Sequence, residues 1–392
     1  MDLNPTVRFN STVRRPISCQ SRYYVHRMRI GLIYLGRHGP GGPISFELAS
    51  HLSRDVDLFA VVSQNADHID YWRDSGLPII EVPTFQTRLG ALISFVRRSR
   101  LRKLASQISA LRPDVLLCPM VHPWTPALQK HLPHIPVVTT VHDPAAHPGL
   151  NHWMSSLWEK RSARMASRCV LLSETFVDHM QAHGISREKI DIIPHAIFSF
   201  YEKFAKNAPR SGTVRSILFF GRITRYKGID ILLRAFQISQ AARPGLRLQI
   251  VGEGDLGPYR DLIDQTKGVS VVNRWVDDAE VPDIFQSADI VVIPYSSASQ
   301  SGVIALAATF ARPVIATRVG ALPEQIRDGE TGVLVEPSPE ALASAIDRLI
   351  TDHEFRKKIG QKLASDMRSK SDWATTAKAY LQSCRKALES QK

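Results

Sequence analysis

The residues with the clearest chemical potential are two cations that follow a glycine at the end of an apolar run. Residues 217–220 predict a buried strand, Gly221 and Arg222 come directly after it, and Lys227 and Gly228 open a helical pattern. Two cations at the carboxyl end of a parallel strand suit a diphosphate, and the glycine lets a ligand approach the backbone. An ordinary strand-to-helix turn with two solvated bases would show the same spacing.

A histidine–aspartate pair ends another predicted strand, at 137–141. His142 and Asp143 follow that strand directly, and Pro144 stops it. Side chains at this point could orient a sugar hydroxyl or share a proton. A histidine is more often structural, but the position on the sheet and the following proline favour a role in ligand binding.

Three further segments follow predicted strands, and two of them, the glycine-rich loop and a helix start, have features of anion-binding sites. Residues 36–43 form a glycine-rich loop between a strand and a helix, and its N–H groups could bind a phosphate. The loop is neither a Walker motif nor GxGxxG, so a plain flexible loop is the alternative. Gly252 and Gly254 form a second tight turn at a strand end. Ser299 and Ser301 precede a small apolar helix whose first N–H groups suit an anion, although helix capping would also explain these serines.

These positions all follow short apolar runs that alternate with helical patterns. Such alternation predicts an α/β fold with parallel, doubly wound sheets, in which ligands bind at the carboxyl ends of the strands. The pattern occurs twice, which predicts one domain at 28–198 and a second at 214–371, joined by a polar, irregular linker at 199–213. A last amphipathic helix, within 372–392, is long enough to cross back and cover the first domain.

Composition places the chain among soluble globular proteins with anionic partners. The 392 residues are 44% hydrophobic and 22% charged, and the formal net charge is +13. This charge implies a nucleic acid, a phosphorylated substrate or an acidic membrane surface. The four cysteines are scattered, which argues against a zinc site or a disulfide framework and fits a reducing compartment. No apolar stretch approaches the ~18 residues of a membrane span.

The first 27 residues are basic and differ from the rest. They lack the apolar core of a secretory signal, although a transit peptide remains an alternative. We expect residues 1–27 to be a disordered basic arm, or to precede a true start at Met28, which directly precedes the first predicted strand.

A basic amphipathic helix is predicted within 85–111. Apolar residues recur there at helical spacing, and five bases fall within seven positions: Arg97, Arg98, Arg100, Arg102 and Lys103. A helix of this kind is typical of binding to anionic headgroups at a membrane surface. A core-packed helix with a solvated basic face is the alternative. A nucleic-acid surface is disfavoured, because aromatic residues do not alternate with the bases.

Taken in order, the segments resemble retaining glycosyltransferases of the GT-B fold, in family 4 (glycosyl transferases group 1). Each segment alone is weak, but their order and spacing are specific, and together they cover residues 28–390. The matching segments are Thr140-Val-His-Asp143, Ile193-Pro-His195, Phe220-Gly-Arg222 with Lys227-Gly228, Ile250-Val-Gly-Glu-Gly254, Ala288-Asp-Ile-Val-Val-Ile-Pro294, Arg312-Pro-Val-Ile-Ala-Thr317, Gly320-Ala-Leu-Pro-Glu324 and Gly329-Glu-Thr-Gly-Val-Leu-Val335.

The resemblance implies two Rossmann-like domains that face a cleft, with a nucleotide-sugar held mostly by the second domain. Arg222 and Lys227 match the basic pair on the donor diphosphate, His142 matches the histidine at the donor sugar, and the loop at 39–42 matches the one that closes over both. The implied reaction retains the anomeric configuration and needs no metal and no cofactor besides the donor. The predicted donor-binding positions are Gly41, Gly42, Asp143, Gly221, Gly252, Gly254, Gln300, Ser301, Gly302 and Glu324.

The chain departs from the family pattern at one place. The family carries a pair of glutamates, Glu-x7-Glu, between the positions of Pro294 and Arg312, and this chain does not. Aligned without a gap, the two positions hold Ala298 and Leu306; aligned on Gly302, they hold Ser299 and Ala307. The first glutamate would contact the donor sugar, and Gln300 or Ser301 is the candidate replacement. The second would bind the ribose, and no residue in the sequence obviously replaces it.

The sequence therefore predicts a retaining hexosyltransferase that uses a nucleotide-sugar and a saccharide acceptor, lipid-linked or free, in polysaccharide or glycolipid synthesis. We expect it at the cytoplasmic face of the cell membrane, as a peripheral protein that binds no nucleic acid. The missing glutamates motivate an alternative, a GT-B protein that has lost catalysis and acts as a binding partner or scaffold. A sugar-nucleotide epimerase of the same fold is a third hypothesis.

Overall fold

The computed structural model describes residues 6–8, 27–85, 98–145, 153–206 and 216–390. Within these ranges the chain forms two α/β domains, each built on a parallel sheet of the Rossmann-like type. The predicted fold class is confirmed. The largest hydrophobic core is shared by the two domains. Its buried residues come from the first sheet, the second sheet and the C-terminal helix.

The first sheet has eight strands in the order β1-β4-β3-β2-β5-β6-β7-β8. All neighbours pair in parallel except β1, which runs antiparallel to β4. The chain leaves β2 first toward β4 and later toward β8, so the direction of winding reverses between β2 and β5. The strands are β1 (Thr6–Arg8), β2 (Arg29–Tyr34), β3 (Asp57–Ser63), β4 (Ile79–Val82), β5 (Val115–Cys118), β6 (Val137–Val141), β7 (Arg168–Leu171) and β8 (Ile190–Ile192).

The second sheet has six parallel strands in the order β11-β10-β9-β12-β13-β14. Its winding reverses between β9 and β12, and ligands of doubly wound sheets bind at such a reversal. The strands are β9 (Ser216–Phe220), β10 (Arg247–Val251), β11 (Val269–Val272), β12 (Ile290–Ile293), β13 (Val314–Thr317) and β14 (Val333–Val335).

Helices cover both sheets, and for this reason the central strands are apolar on both faces: every residue of β5 and β12 is buried. The helices of the described residues are α1 (Gly41–Leu52), α2 (Ile69–Asp74), α3 (Arg98–Ala110), α4 (Thr125–His131), α5 (Trp153–Met165), α6 (Val177–Ala182), α7 (Ile229–Ala242), α8 (Arg260–Asp264), α9 (Val281–Ser287), α10 (Gly302–Thr309), α11 (Leu322–Gln325), α12 (Pro339–Thr351), α13 (His353–Lys370) and α14 (Trp373–Glu389).

The segment between the domains differs from the predicted irregular linker. Ser199–Phe204 forms a 3-10 helix in which Phe200 and Tyr201 are buried. The Lys203 ammonium lies 3.6 Å from the ring centroids of both Tyr71 and Phe200, so this helix packs against the first domain. The prediction weighed the polar residues and overlooked the aromatic ones. The remainder of the predicted linker, from 207, lies outside the described residues.

The last helix, α14, packs against the first domain after the chain has left the second. Asp372 accepts a hydrogen bond from the Thr375 N–H (2.8 Å) and begins this helix with a side-chain cap. The Tyr380 hydroxyl lies 3.0 Å from Thr140 Oγ1 at β6. Ser383 and Lys386 both donate to the carboxylate of Asp191 in β8.

Two predicted basic regions are only partly described. Thr6–Arg8 forms strand β1, so these three residues do not belong to a disordered arm, because β4 offers them an edge on which to pair. Residues 9–26 lie outside the described ranges. Of the predicted helix within 85–111, the structure describes α3, whose residues Leu101, Leu104 and Ile108 are buried. Arg97 lies outside the described residues.

Candidate active site

The loops of the second domain that follow β9 and β10 lie against each other through main-chain atoms. Gly221 (φ 126°) and Gly252 (φ 146°) adopt positive φ, and a Cβ at Gly252 would lie 2.0 Å from the Gly221 carbonyl oxygen. The Gly221 N–H donates to the Val251 carbonyl (2.9 Å), and Ile223 forms a bridge with Gly254. Three of the predicted donor-binding glycines therefore form one compact turn cluster.

Arg222 and Lys227 lie beside this cluster. Arg222 is exposed, and Lys227 ends the 3-10 helix Arg225–Lys227. Within the described part of the chain neither cation forms an ion pair with a carboxylate. Burial, with a smaller contribution from the charge of Arg222, lowers the pKa of Lys227 to about 8. Two neighbouring positive charges without a paired acid are an arrangement suited to an anionic ligand.

Gly228 fixes the position of Lys227 relative to the next strand. It has φ 65°, and a Cβ there would lie 1.9 Å from the Pro294 carbonyl oxygen. The Ser296 N–H also donates to the Tyr226 carbonyl (2.8 Å). Only glycine allows so close an approach, so the lysine is anchored to the loop after β12.

His142 faces the cleft from the end of β6. Its Nε2 donates to the Pro119 carbonyl (2.9 Å), and burial lowers the pKa of His142, which keeps the ring neutral. A neutral imidazole that donates through Nε2 has its acceptor lone pair on Nδ1. The next residue, Asp143, is exposed, and its negative charge also acts on the ionisation of Lys227 and His195. The predicted residues of the two domains thus lie in one region.

The turn that carries Asp143 is supported by a half-buried acid that the sequence did not reveal. The Asp143 N–H donates to a carboxylate oxygen of Glu159 in α5 (3.2 Å). Burial, with a smaller contribution from Asp143, raises the pKa of Glu159 to about 8. No sequence pattern singled out this glutamate, because its partner is a main-chain group.

His195 and Gln300 connect the domains beside His142, and His195 had been noted only as part of a motif. His195 is 9% exposed, and its ring centroid lies 6.0 Å from that of His142. Burial lowers the pKa of His195 to about 3, and the Gln300 side chain partly opposes this shift. The Gln300 Oε1 is buried and has no hydrogen-bond partner among the described residues. A buried acceptor without a partner suits a ligand whose hydroxyl group donates a hydrogen bond.

The residue before α10 is held in place by the side chain of Gln325. The Gln325 side chain accepts from the Ser301 N–H (2.8 Å) and donates to the Ser301 carbonyl (3.2 Å). Ser301 is buried, and its Oγ lies 3.4 Å from the Tyr295 hydroxyl. A Cβ at Gly302 would lie 3.3 Å from the ring of Phe198, the last residue of the first domain, so the first turn packs against that domain.

Glu324 spans the two domains. Its carboxylate accepts hydrogen bonds from the N–H groups of Glu174 (3.0 Å) and Thr175 (2.8 Å), and from the Thr175 hydroxyl. Burial opposes its ionisation, but the hydrogen bonds from Thr175 and Ser173 lower the pKa of Glu324 overall. The predicted contact of Glu324 with the donor therefore requires this contact to open.

The glycine-rich loop of the first domain lies on the opposite side of the cleft. Helix α1 begins at Gly41, so Gly41 and Gly42 occupy its first turn and are buried. Gly39 (φ 104°) precedes them, and the atom nearest to a Cβ there would be in the Trp275 ring of the second domain, at 3.8 Å. This loop and Trp275 thus face each other directly.

A contact between His68 and Asp278 joins the domains below this loop. His68 Nε2 lies 2.9 Å from a carboxylate oxygen of Asp278. A Cβ at Gly42 would lie 2.7 Å from the His68 ring. The loop after β2, the first turn of α1 and the second domain are therefore packed together at this point.

Of the predicted membrane-binding residues, Arg98, Arg100, Arg102 and Lys103 belong to α3, outside this cluster. Arg102 and Lys103 are exposed and Arg100 is half-buried. None of the described helices is both long enough and apolar enough to cross a membrane. Among the described residues no group of three or more acidic, histidine or cysteine side chains could hold a metal ion, and the cysteines that they include are buried free thiols.

The comparison with protein families covers both domains. Residues 44–197 match the family described as Glycosyltransferase Family 4, and residues 214–352 match the family described as Glycosyl transferases group 1. The chain therefore belongs to the group 1, family 4 glycosyltransferases. This confirms the resemblance stated from the sequence motifs.

Individual relatives agree with this assignment, and a solved structure shares the fold. The chain is 31% identical to D-inositol 3-phosphate glycosyltransferase of Paenarthrobacter aurescens, over 59% of this chain and 60% of that protein. It is 29% identical to glycogen synthase of Mycobacterium tuberculosis, over 72% of this chain and 71% of that protein. Anabaena HepE in complex with UDP and glucose superposes with a TM-score of 0.69 at 16% identity, covering 91% of this chain and 98% of that one.

Proposed function

We propose that the protein is a retaining glycosyltransferase that moves a hexose from a nucleotide-sugar to a saccharide acceptor. The observation that carries this proposal is the pair formed by exposed Arg222 and half-buried Lys227, two cations without an acidic partner beside the glycine turns after β9 and β10. The relatives named as glycosyltransferases and the HepE complex with UDP support a nucleotide-sugar as the donor.

In the proposed reaction the bond between the sugar C1 and the diphosphate oxygen breaks, and a bond forms from C1 to the acceptor hydroxyl on the same face. The leaving diphosphate takes the acceptor proton. Negative charge grows on the phosphate oxygens as the bond breaks, and Arg222 and Lys227 stabilise it more in the transition state than in the ground state. This chemistry needs no metal ion and no further cofactor.

We assign sugar recognition to His142 and Gln300. Nδ1 of neutral His142 can accept a hydrogen bond from a sugar hydroxyl, because its Nε2 already donates to Pro119. The orphaned Oε1 of Gln300 offers a second acceptor, in place of the glutamate of the family pattern. Ser301 is a poorer replacement, because its buried hydroxyl faces Tyr295.

The proposal is tested by turnover of Arg222→Ala and Lys227→Ala with UDP-, GDP- and ADP-hexoses, measured as release of the nucleoside diphosphate. We expect each variant to lose about 100-fold or more, the scale seen when one preorganised charge or donor is removed from a transition state. Arg225→Ala is the matched control, because Arg225 is an exposed base in the same 3-10 helix. Undiminished turnover in both cleft variants would refute the assignment.

The alternative of a protein that binds without catalysis rests on the missing glutamates. It is separated from the main proposal by product analysis with the active donor. A new glycosidic linkage excludes both a scaffold and an epimerase, whereas a protein that binds no nucleotide-sugar in calorimetry and forms no product would favour the scaffold.

We further propose that the acceptor is lipid-linked and that α3 and the residues before it dock on the cytoplasmic face of the cell membrane. Exposed Arg102 and Lys103 support this, since each base near an anionic surface contributes about 1 kcal/mol. A variant with Arg97, Arg98, Arg100, Arg102 and Lys103 changed to Gln should lose binding to phosphatidylserine vesicles.

The charge-matched control changes five exposed bases elsewhere, namely Lys357, Lys358, Lys370, Lys378 and Arg385. Equal loss of vesicle binding in both variants would show that net charge alone, and not this helix, attracts the protein to membranes.

A further inference from the structure

The Lys227 ammonium is surrounded by aromatic rings. Its Nζ lies 3.6 Å from the ring centroid of Tyr295 and 4.9 Å from that of Tyr226, and the two rings are inclined at 70° to each other. Cations over tyrosine faces are attracted by the ring quadrupole, and the attraction grows where water is excluded. Tyr295 is 1% exposed, so its face is a dry surface for this cation.

Tyr295 is itself fixed from several sides. It follows β12, its carbonyl accepts from the Thr317 hydroxyl (2.5 Å), and its hydroxyl lies 3.4 Å from Ser301 Oγ. Burial raises the pKa of Tyr295 to about 12, so the phenol remains neutral. Ser301 is held in turn by the side chain of Gln325. The Tyr295 ring under Lys227 is therefore connected to Ser301, the residue that precedes α10.

We propose that Tyr295 is a positioning residue of the donor site, whose ring holds the Lys227 ammonium in place for the diphosphate of a nucleotide-sugar. This inference rests on the proposed function, since it assumes a diphosphate ligand. An aromatic face orients the lysine without neutralising its charge, whereas a carboxylate in the same place would cancel the attraction to phosphate.

A double-mutant cycle tests this role. The affinity for UDP is measured by calorimetry at pH 7.5 for the natural protein, Tyr295→Met, Lys227→Met and the double variant. Methionine at 295 fills much of the volume but removes the ring. We expect Tyr295→Met to weaken UDP binding about tenfold, the scale of a desolvated cation–π contact, and to have no further effect once Lys227 is gone.

A purely structural tyrosine gives a different result. If Tyr295→Met weakens UDP equally with and without the lysine, the two effects are additive and the positioning role is refuted. Tyr259→Met is the matched control, a buried tyrosine of the same domain that does not contact Lys227, and it should leave UDP affinity within about twofold.

Tyr295→Phe provides a second test that does not depend on the folding of the methionine variant. Phenylalanine keeps the ring and removes only the hydroxyl, so UDP affinity should stay within about twofold. A tenfold loss in Tyr295→Phe would overturn the inference. Failure of the proposed function looks different, because the natural protein would then bind neither UDP nor any other nucleoside diphosphate.

Discussion

In the second domain the loops that carry Arg222 and Lys227 are fixed by main-chain contacts, whereas the facing residues of the first domain are held by side-chain hydrogen bonds. Gly252 packs on the Gly221 carbonyl and Gly228 on the Pro294 carbonyl. Across the cleft, His142 depends on a bond from its own ring to Pro119, and the Asp143 turn on the Glu159 carboxylate.

Because of this difference, the two domains should tolerate different kinds of substitution at the site. Main-chain contacts at positive φ admit only glycine. Replacing the glycines of the loops that carry Arg222 and Lys227 should therefore destabilise the fold. Side-chain contacts can be removed one at a time. Substitutions around His142 should therefore alter ligand recognition more than they alter the free energy of unfolding. The following predictions test the comparison, beginning with the largest expected effect.

Gly228→Ala should destabilise the protein by about 3 kcal/mol or more, because a Cβ 1.9 Å from the Pro294 carbonyl forces the loops apart at a left-handed position. The measurement is urea unfolding followed by circular dichroism. Gly245→Ala is the control, since a Cβ there would have no neighbour within 4 Å, and it should change stability by less than about 0.5 kcal/mol. Equal behaviour of the two variants would break the comparison.

UDP affinity should fall about tenfold between pH 7.5 and 9.5. Burial, opposed by Tyr226 and Asp143 and reinforced by Arg222, places the pKa of Lys227 near 8, and the neutral Tyr295 ring also contacts this lysine. The protonated lysine binds phosphate, so binding is lost as the pH rises through this pKa. The phosphate group is already ionised in this window, since its second pKa is about 6.

Lys227→Arg is the control for this pH dependence. A guanidinium keeps its charge throughout, so the affinity of this variant should be flat over the same pH range. A tenfold fall in Lys227→Arg as well would assign the titration to another group.

Glu324→Gln should lower stability by about 1 kcal/mol at pH 7, the usual effect of a lost helix cap, because it removes a charged acceptor from the N–H groups of Glu174 and Thr175. The pKa of Glu324 is lowered in the folded protein, so its contribution is complete above the ordinary carboxyl pKa and is lost as the pH falls. The difference in Tm from the natural protein should therefore shrink between pH 7 and pH 3.5. A constant difference would exclude the carboxylate as the cause.

The sequence predicted the strands well because buried strands of parallel sheets are continuous apolar runs. The predicted strand at 137–141 coincides with β6, and the one at 217–220 matches β9 except for its first residue, Ser216. The start of α1 was placed at 44, three residues after Gly41, because two glycines and a proline disfavour a helix by propensity alone. The 3-10 helix at Ser199–Phe204 was missed for a similar reason, since its stability comes from aromatic packing between distant residues.

The candidate site was predictable where one segment supplies several residues and obscure where distant segments meet. Arg222, Lys227 and the glycines stand together in the chain, so spacing revealed them. The approach of His195 to His142 and the position of Tyr295 under Lys227 depend on contacts between separate loops. The contact of Glu324 with the first domain likewise follows from how the domains meet.

The central claim, that Arg222 and Lys227 form a clamp for the donor diphosphate, is tested most directly by calorimetric titration with UDP, UMP and uridine. The clamp predicts that affinity falls at each removed phosphate, and that Lys227→Ala weakens UDP at least tenfold while it leaves uridine unchanged. GDP and ADP series serve if the site prefers another base. Equal binding of UDP by the natural protein and by Lys227→Ala would contradict the account.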